Sequence, residues 1–317
     1  MLVASKEELD LSKISHRALC ENGLAKMPLL LFTGITAVLT LAIAGGADVQ
    51  GKVRGNGIDV IHSDNRMFLT FTTSAGERFV ESGFDTVSGE CTSWYGREIV
   101  RQIESHGTRV VLPSGADSSL LMLGLGGGMI IAQLLCSLPR APINKVLAVE
   151  LSAPVVDLWW RKFFPAIVQP CLPARSSNSS WSNAVEVVKG DAISFVEELA
   201  RNRTHAARVG GCFRYIVVDC FTMQQCGAGS DADKCLARTR PEPPSFTPEF
   251  LRQLRSIMCA KDSLLLINTT PMGMEAETLP LFANVSTLFN NVRVRRKRKA
   301  IVSGFNVVIS ASVQPEN

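Results

Sequence analysis

The stretch SLLMLGLGGGMIIAQLL, residues 119–135, runs from a continuous apolar segment through glycines at 124, 126, 127 and 128 into a second apolar segment of helical length. Glycine at that density weakens any regular element, so these glycines mark a turn that another group approaches closely. The flanking segments repeat down the chain. KVLAVEL (145–151), AVEVVKG (184–190), RYIVVDCF (214–221) and SLLLINT (263–269) are apolar runs of strand length, too continuous for a sheet with one solvated face. Between them lie the amphipathic stretches MIIAQLLCSL, APVVDLWWRKFF, AISFVEELA and PEFLRQLRSIM. Strands and helices alternating in this way predict an α/β fold, a Rossmann-like doubly wound parallel sheet with helices on both faces.

Upstream the rhythm differs. RMFLTFTT (66–73) and ERFVESGFD (77–85) alternate apolar and polar residues and are broken by Asn, Asp, Ser and Gly, which predicts a small antiparallel β unit. The reading divides the chain into an N-terminal segment (1–49), the small β unit (50–95) and the Rossmann-like domain (96–317). VRVRRKRKAIVSGFNVVISAS (292–312) has no helix between its two extended runs and reads as a terminal hairpin.

A net charge of +4, from 33 basic and 29 acidic residues, is too small to argue for nucleic acid. Six of the basic residues sit in RVRRKRK, Arg293 to Lys299, and no aromatic residue is interleaved with them; a solvated hairpin tip accounts for them. The nine cysteines form no CxxC pair and no Cys/His cluster of metal-ligand spacing, so no metal site is expected. Their scatter reads as buried or free thiols, with Cys226 and Cys235 close enough in one loop to pair.

MPLLLFTGITAVLTLAIA, Met27 to Ala44, is an uncharged apolar stretch ending in Ala42-Ile43-Ala44. It has the form of a signal peptide with a small-residue cleavage site or of a short signal anchor, and the alternative is an apolar helix packed on the fold. The first reading places the protein in the secretory pathway or on a membrane rather than in the cytoplasm. Sequons at Asn178, Asn202, Asn268 and Asn284 add little, since such triplets arise by chance and Asn268 follows a strand that reads as buried.

In a doubly wound sheet ligands bind beyond the carboxyl ends of the strands, and the turn from the first strand into its helix is the usual cradle. Gly124, Gly126 and Gly128 stand at that turn, where they let backbone N–H groups and the helix start come within contact distance of a ligand. Met129 occupies the place a dinucleotide fingerprint gives its third glycine, which disfavours NAD. Glu150 ends the second strand, where a carboxylate accepts hydrogen bonds from a ribose diol. Asp191 follows the third strand and suits either contact with an adenine edge or an N-cap for the helix after it.

Together LMLGLGGG, KVLAVELSAPVVDLWWRKFF, VVKGDAISFV, RYIVVDCF and FTPEFLRQLRSIMCAKDSLLLINTT resemble the spermidine-synthase-like branch of the class I S-adenosylmethionine-dependent methyltransferase superfamily, over about residues 65–312. The resemblance implies a sheet whose last strand is antiparallel. It also implies a small-molecule adenosyl ligand, S-adenosylmethionine or its decarboxylated form, held by Gly124, Gly126, Gly127, Gly128, Glu150, Asp191 and Ala192, and a strand-four acid, Asp219, facing the reaction centre. A homodimer is left open.

The departures from the family bear on the reaction. The aminopropyltransferases carry an Asp where Gly127 stands, another where Thr222 stands, and a Tyr-Gln-Glu stretch that here reads Tyr95-Gly96-Arg97. A cationic amine needs carboxylates that bind it and accept its proton. With Asp219 nearly alone, methyl transfer to an unidentified amine or protein acceptor is favoured over polyamine synthesis, and a non-catalytic adenosyl-binding scaffold is the third reading. The long segment from Met223 to Ser245, with Asp231 and Asp233, is expected to lie over the acceptor site.

Overall fold

In the computed structural model, described for residues 57–72, 78–109, 118–136, 143–171, 185–202, 204, 211–220, 246–259, 262–269, 280–296 and 307–313, the alternation read from the sequence closes into a seven-stranded sheet. The chain first forms four antiparallel strands in sequential order, β1 (Ile58–Ser63), β2 (Arg66–Thr72), β3 (Arg78–Asp85) and β4 (Glu90–Cys91). Helix α1 (Trp94–Arg109) leads to β5 (Ser119–Leu123), α2 (Met129–Cys136), β6 (Lys145–Glu150) and α3 (Ala153–Leu158). After α3 the helix widens to π winding over Trp159–Val168. There follow β7 (Val185–Lys189), α4 (Ala192–Arg201), β8 (Tyr215–Val218), α5 (Pro248–Ile257), β9 (Ser263–Thr269), α6 (Pro280–Leu288), β10 (Asn290–Arg296) and β11 (Val307–Val313).

The large sheet has the order β10-β11-β9-β8-β5-β6-β7. Strands β5 to β9 are parallel, while β11 enters between β9 and β10 and is antiparallel to both. The terminal hairpin therefore supplies the reversed last strand. Helices on both faces explain why the central strands are apolar throughout: the two-residue period sends alternate side chains into two separate cores. Leu120, Met122, Val146, Ala148, Tyr215, Val217 and Leu266 face the core closed by α1, α2, the α3–π segment and the small sheet. Leu121, Leu123, Leu147, Val149, Ile216, Val218 and Ile267 face the core closed by α4, α5 and α6.

The π winding and α6 were not legible beforehand. Pro165 lies inside the π segment. Proline has no N–H to give, and in an α-helix its ring strikes the carbonyl four residues back. Trp159 opens the segment fully buried and packs against the glycine turn.

The expectation of free thiols needs correction. Cys212 and Cys259 form a disulfide with Cα atoms 4.9 Å apart, and Cys136 is also disulfide-bonded, while Cys91 and Cys220 are free. The pairing is tertiary. An isolated parallel bridge between Phe213 and Met258 aligns two segments far apart in sequence and sets the flanking cysteines side by side. Among the described residues no helix is long and apolar enough to cross a membrane, and the stretch 27–44 lies outside them. Of the basic run, Arg293, Arg295 and Arg296 are exposed on the edge strand β10, whereas Val292 and Val294 pack inward.

Candidate functional site: a glycine turn ringed by carboxyl groups

The glycine turn lies at the carboxyl end of β5, in the middle of the sheet. Gly124, Gly126 and Gly128 all have left-handed backbone, with φ of 86°, 51° and 67°. Two of them are also held by close packing. A Cβ on Gly124 would stand 2.4 Å from the backbone oxygen of Asp219, and one on Gly128 would stand 2.2 Å from the Trp159 ring. The turn thus rests against the end of β8 on one side and the α3–π helix on the other. Gly126 has open space: a Cβ there would find only Ser82 Oγ within 4 Å, at 3.9 Å.

Glu150 closes the turn from below. Its Oε2 accepts hydrogen bonds from the N–H groups of Leu125 (3.0 Å) and Gly126 (3.3 Å), and its Oε1 accepts from Ser152 N–H (2.8 Å). The half-buried carboxylate therefore holds the turn's shape, a role the sequence did not disclose. A carboxylate offers about four acceptor positions, so capacity remains for a ribose hydroxyl.

Asp191 takes the structural role left open for it. Its Oδ1 accepts from Ser194 N–H (2.8 Å) and caps α4, of which Ala192 is the first residue. It sits beyond the end of β7, on the same carboxyl edge as the turn, and its charge reaches Cys220.

Asp219 stands just past β8, beside Gly124. Asn268, 1% exposed on β9, donates from Nδ2 to Asp219 Oδ1 at 2.7 Å, while its own Oδ1 is buried without a partner. Burial pushes the Asp219 carboxyl up to about 6; the Asn268 bond opposes this and the Glu150 charge adds to it. The buried amide also removes Asn268 from consideration as a glycosylation acceptor.

The sequence reading missed Glu81, which the small sheet brings to this site. Strand β3 pairs Ser82 with Leu69 and Val80 with Thr70, leaving Glu81 as the extra residue of a β-bulge. A bulge re-aims the side chains around it, and bulges recur beside active sites for that reason. Ser82 Oγ accepts from Gly127 N–H at 3.0 Å, which docks the bulge on the glycine turn. Burial, with the charges of Asp219 and Glu150, pushes the Glu81 carboxyl up to about 7. The view that Asp219 stands nearly alone is therefore corrected: a second carboxyl arrives from outside the Rossmann-like domain. No linear motif announced it, because a lone Glu in an alternating strand looks like an ordinary exposed residue.

The departures from the family pattern also acquire physical reasons. A side chain at Gly127 would meet Ser82 Oγ at 2.5 Å and Met129 Cε at 2.6 Å, so the Ser82 and Met129 side chains would have to move aside to admit an Asp. A side chain at Gly96 would meet Ser93 Oγ at 2.8 Å and the Cys91 Cβ at 3.0 Å. Arg97 donates to the carbonyls of Cys91 (2.6 Å) and Thr92 (2.9 Å), fastening the start of α1 to β4. Tyr95 remains at the site, its hydroxyl held well above the usual phenol range by burial and by the charges of Asp219 and Glu81. Burial likewise raises the Cys91 thiol, the Arg97 charge opposing this and the Asp219 charge adding to it. Thr222 and the segment from Met223 to Ser245 lie outside the described residues.

No protein-family model matches the chain, and no curated protein matches its sequence. Solved structures do resemble it. A probable spermidine synthase from Corynebacterium glutamicum superposes with a TM-score of 0.51 at 15% identity, covering 80% of this chain and 76% of that one. The spermidine synthase from Thermotoga maritima gives 0.45 at 12% identity, with 81% and 74% covered. The O-methyltransferase from Bacillus cereus in complex with SAH gives 0.41 at 11% identity, with 68% and 79% covered. The strand order with its single reversed strand, the small antiparallel sheet ahead of it and the first of these likenesses agree: the chain has the spermidine-synthase-like methyltransferase fold.

Proposed function

We propose that the protein is an S-adenosylmethionine-dependent transferase that moves a methyl group to an amine or protein acceptor. The observation that carries this reading is the convergence of Glu150 and Asp219 on a left-handed glycine turn at the carboxyl end of the central strand. The residues fit an adenosyl ligand. Gly126 leaves space for it, Glu150 keeps acceptor capacity for the ribose, and the exposed side chain of Leu151, directly after Glu150, offers an apolar surface to the base. When bound, the ligand supplies an activated methyl group on a sulfonium, so the protein's task is to align the acceptor and exclude water.

Asp219 orients the acceptor and offsets its positive charge, with Asn268 fixing its carboxylate. Two further readings are outcomes of the same test. Aminopropyl transfer from decarboxylated S-adenosylmethionine gains support from the second carboxyl, Glu81. A scaffold that binds the ligand and transfers nothing shares the same turn. Calorimetric titration with S-adenosylmethionine, its decarboxylated form and methylthioadenosine, followed by transfer assays on peptides, small amines and polyamines, separates the three. Preference for S-adenosylmethionine with turnover supports methyl transfer, preference for the decarboxylated form supports the polyamine reaction, and binding without turnover supports the scaffold. Absence of any adenosyl binding refutes the proposal.

For the compartment we infer an oxidising one. The Cys212–Cys259 disulfide and the bonded Cys136 support it, since structural disulfides persist in secreted and lumenal proteins and are rare in the cytosol. The apolar stretch 27–44 is the feature that would deliver the chain there.

A further inference from the structure

We propose that Glu81 is the proton acceptor of this site and that it selects an acceptor arriving as a protonated amine. The inference rests on the adenosyl reading above and adds to it a residue and a substrate charge. Three observations support it. The β-bulge opposite Leu69 and Thr70 leaves Glu81 unpaired in the ladder directly beside Ser82, which the Ser82–Gly127 hydrogen bond docks on the glycine turn. The titratable groups facing Glu81 are Asp219 at the end of β8, Glu150 at the end of β6 and Tyr95 on α1, with Cys91 of β4 beside Tyr95. Among the described residues none of the groups acting on Glu81 or Asp219 is a cation. Finally, Asn268 presents a buried Oδ1 with no donor while its Nδ2 is committed to Asp219. A site in which several acidic groups face one another, the Arg97 guanidinium nearby is committed to the Cys91 and Thr92 carbonyls and an acceptor oxygen is orphaned is completed by a ligand that carries positive charge and N–H donors.

The proton step balances simply. The acceptor enters as R–NH3+, one N–H bond breaks, the proton passes to a Glu81 carboxylate oxygen, and the electron pair stays on nitrogen as the nucleophile's lone pair. Asp219 keeps its charge and holds the remaining N–H groups. Because Glu81 binds a proton near pH 7, it can receive one from an ammonium at the site and return it to solvent in each cycle.

The test is calorimetric titration of the full-length protein, with and without S-adenosylhomocysteine, using n-butylamine and 1,4-diaminobutane as probes and n-butanol as the uncharged control. The amines are expected to bind at pH 8 and the alcohol not to. Amine affinity should fall about fivefold by pH 6, with a step centred near pH 7 as the Glu81 carboxylate takes up its proton. Glu81→Gln should weaken amine binding about tenfold at pH 8 and abolish the step, leaving S-adenosylhomocysteine affinity within about twofold; Glu81→Asp should retain part of both. Asp219→Asn should weaken the amine but keep the step. Equal amine affinity in Glu81→Gln at pH 8, an affinity in the wild type that ignores pH, or no amine binding in either form overturns the inference. The wild-type pH profile decides the matter even where a variant does not fold. Absence of S-adenosylhomocysteine binding is a separate result and counts against the proposed function instead.

Discussion

Replacing Gly124 by alanine tests the geometry on which the whole site rests. The new Cβ brings two costs. At φ of 86° an L-residue with a side chain is strained by about 1–2 kcal/mol. The methyl would also lie 2.4 Å from the Asp219 carbonyl oxygen, 2.8 Å from its carbon and 3.2 Å from the Cα of Cys220. These are backbone atoms at the end of a strand whose residues are buried, and Asp219 N–H is itself bonded to Leu123 O at 2.8 Å, so they cannot swing aside as a side chain would. Overpacking of this kind costs about 1–3 kcal/mol. The sum, about 2–5 kcal/mol, is a large share of the roughly 5–15 kcal/mol that holds a typical domain folded. Gly126→Ala is the control. It has left-handed backbone but open space around it, so only the first cost, about 1–2 kcal/mol, applies. Urea unfolding measures both: the midpoint of Gly124→Ala should drop well below that of Gly126→Ala with the slope unchanged. Because the displaced atoms carry Asp219, Gly124→Ala should also impair transfer more than Gly126→Ala in proportion to adenosyl affinity. A Gly124→Ala protein within about 0.5 kcal/mol of wild type, the scatter of neutral surface changes, would refute the described contact between the turn and β8.

Glu150→Ala should weaken adenosyl binding about tenfold or more, matching loss of charge-assisted hydrogen bonds worth about 1.5–3 kcal/mol, and should also lower stability because Leu125, Gly126 and Ser152 lose their acceptor; unchanged affinity in a folded variant removes Glu150 from the site. Asp219→Asn should leave adenosyl binding nearly intact while transfer falls roughly a hundredfold, and equal rates in the two proteins would exclude Asp219 from holding the acceptor. Stability should depend on pH through Glu81: its folded value of about 7 lies above the ordinary 4.5, so the folded state holds the extra proton and the associated stability is full below about pH 4.5 and lost as pH rises through 7. Glu81→Gln should accordingly be more stable than wild type at pH 8 by up to about 3 kcal/mol and indistinguishable from it near pH 4, by urea unfolding at both; a variant less stable at pH 8 contradicts the buried carboxyl. Expressed in eukaryotic cells, the protein should fractionate with membranes or lose about its first 44 residues, and exposed Asn202 should carry an endoglycosidase-sensitive glycan that Asn202→Gln removes while Asn268→Gln leaves glycosylation unchanged; an intact, freely soluble, unmodified product would show that 27–44 is not a targeting segment.

What could be read without the fold was whatever repeats at short range. Apolar runs at 119–123, 145–150, 185–189, 215–218 and 263–269, with amphipathic runs between them, determined a parallel sheet with two covered faces, because both periods are properties of local backbone geometry. The glycine cluster located the turn for the same reason: left-handed backbone is a single-residue property. Tertiary structure decided everything that depends on which distant segments touch. Glu150 as a brace of the turn, the Cys212–Cys259 bond, Asn268 on Asp219 and the docking of Ser82 on Gly127 each join residues between 24 and 49 positions apart. Glu81 is the clearest case. One extra residue in β3 reverses which side of the strand faces the site, and the side-chain period of two gives no advance notice of where a bulge will fall.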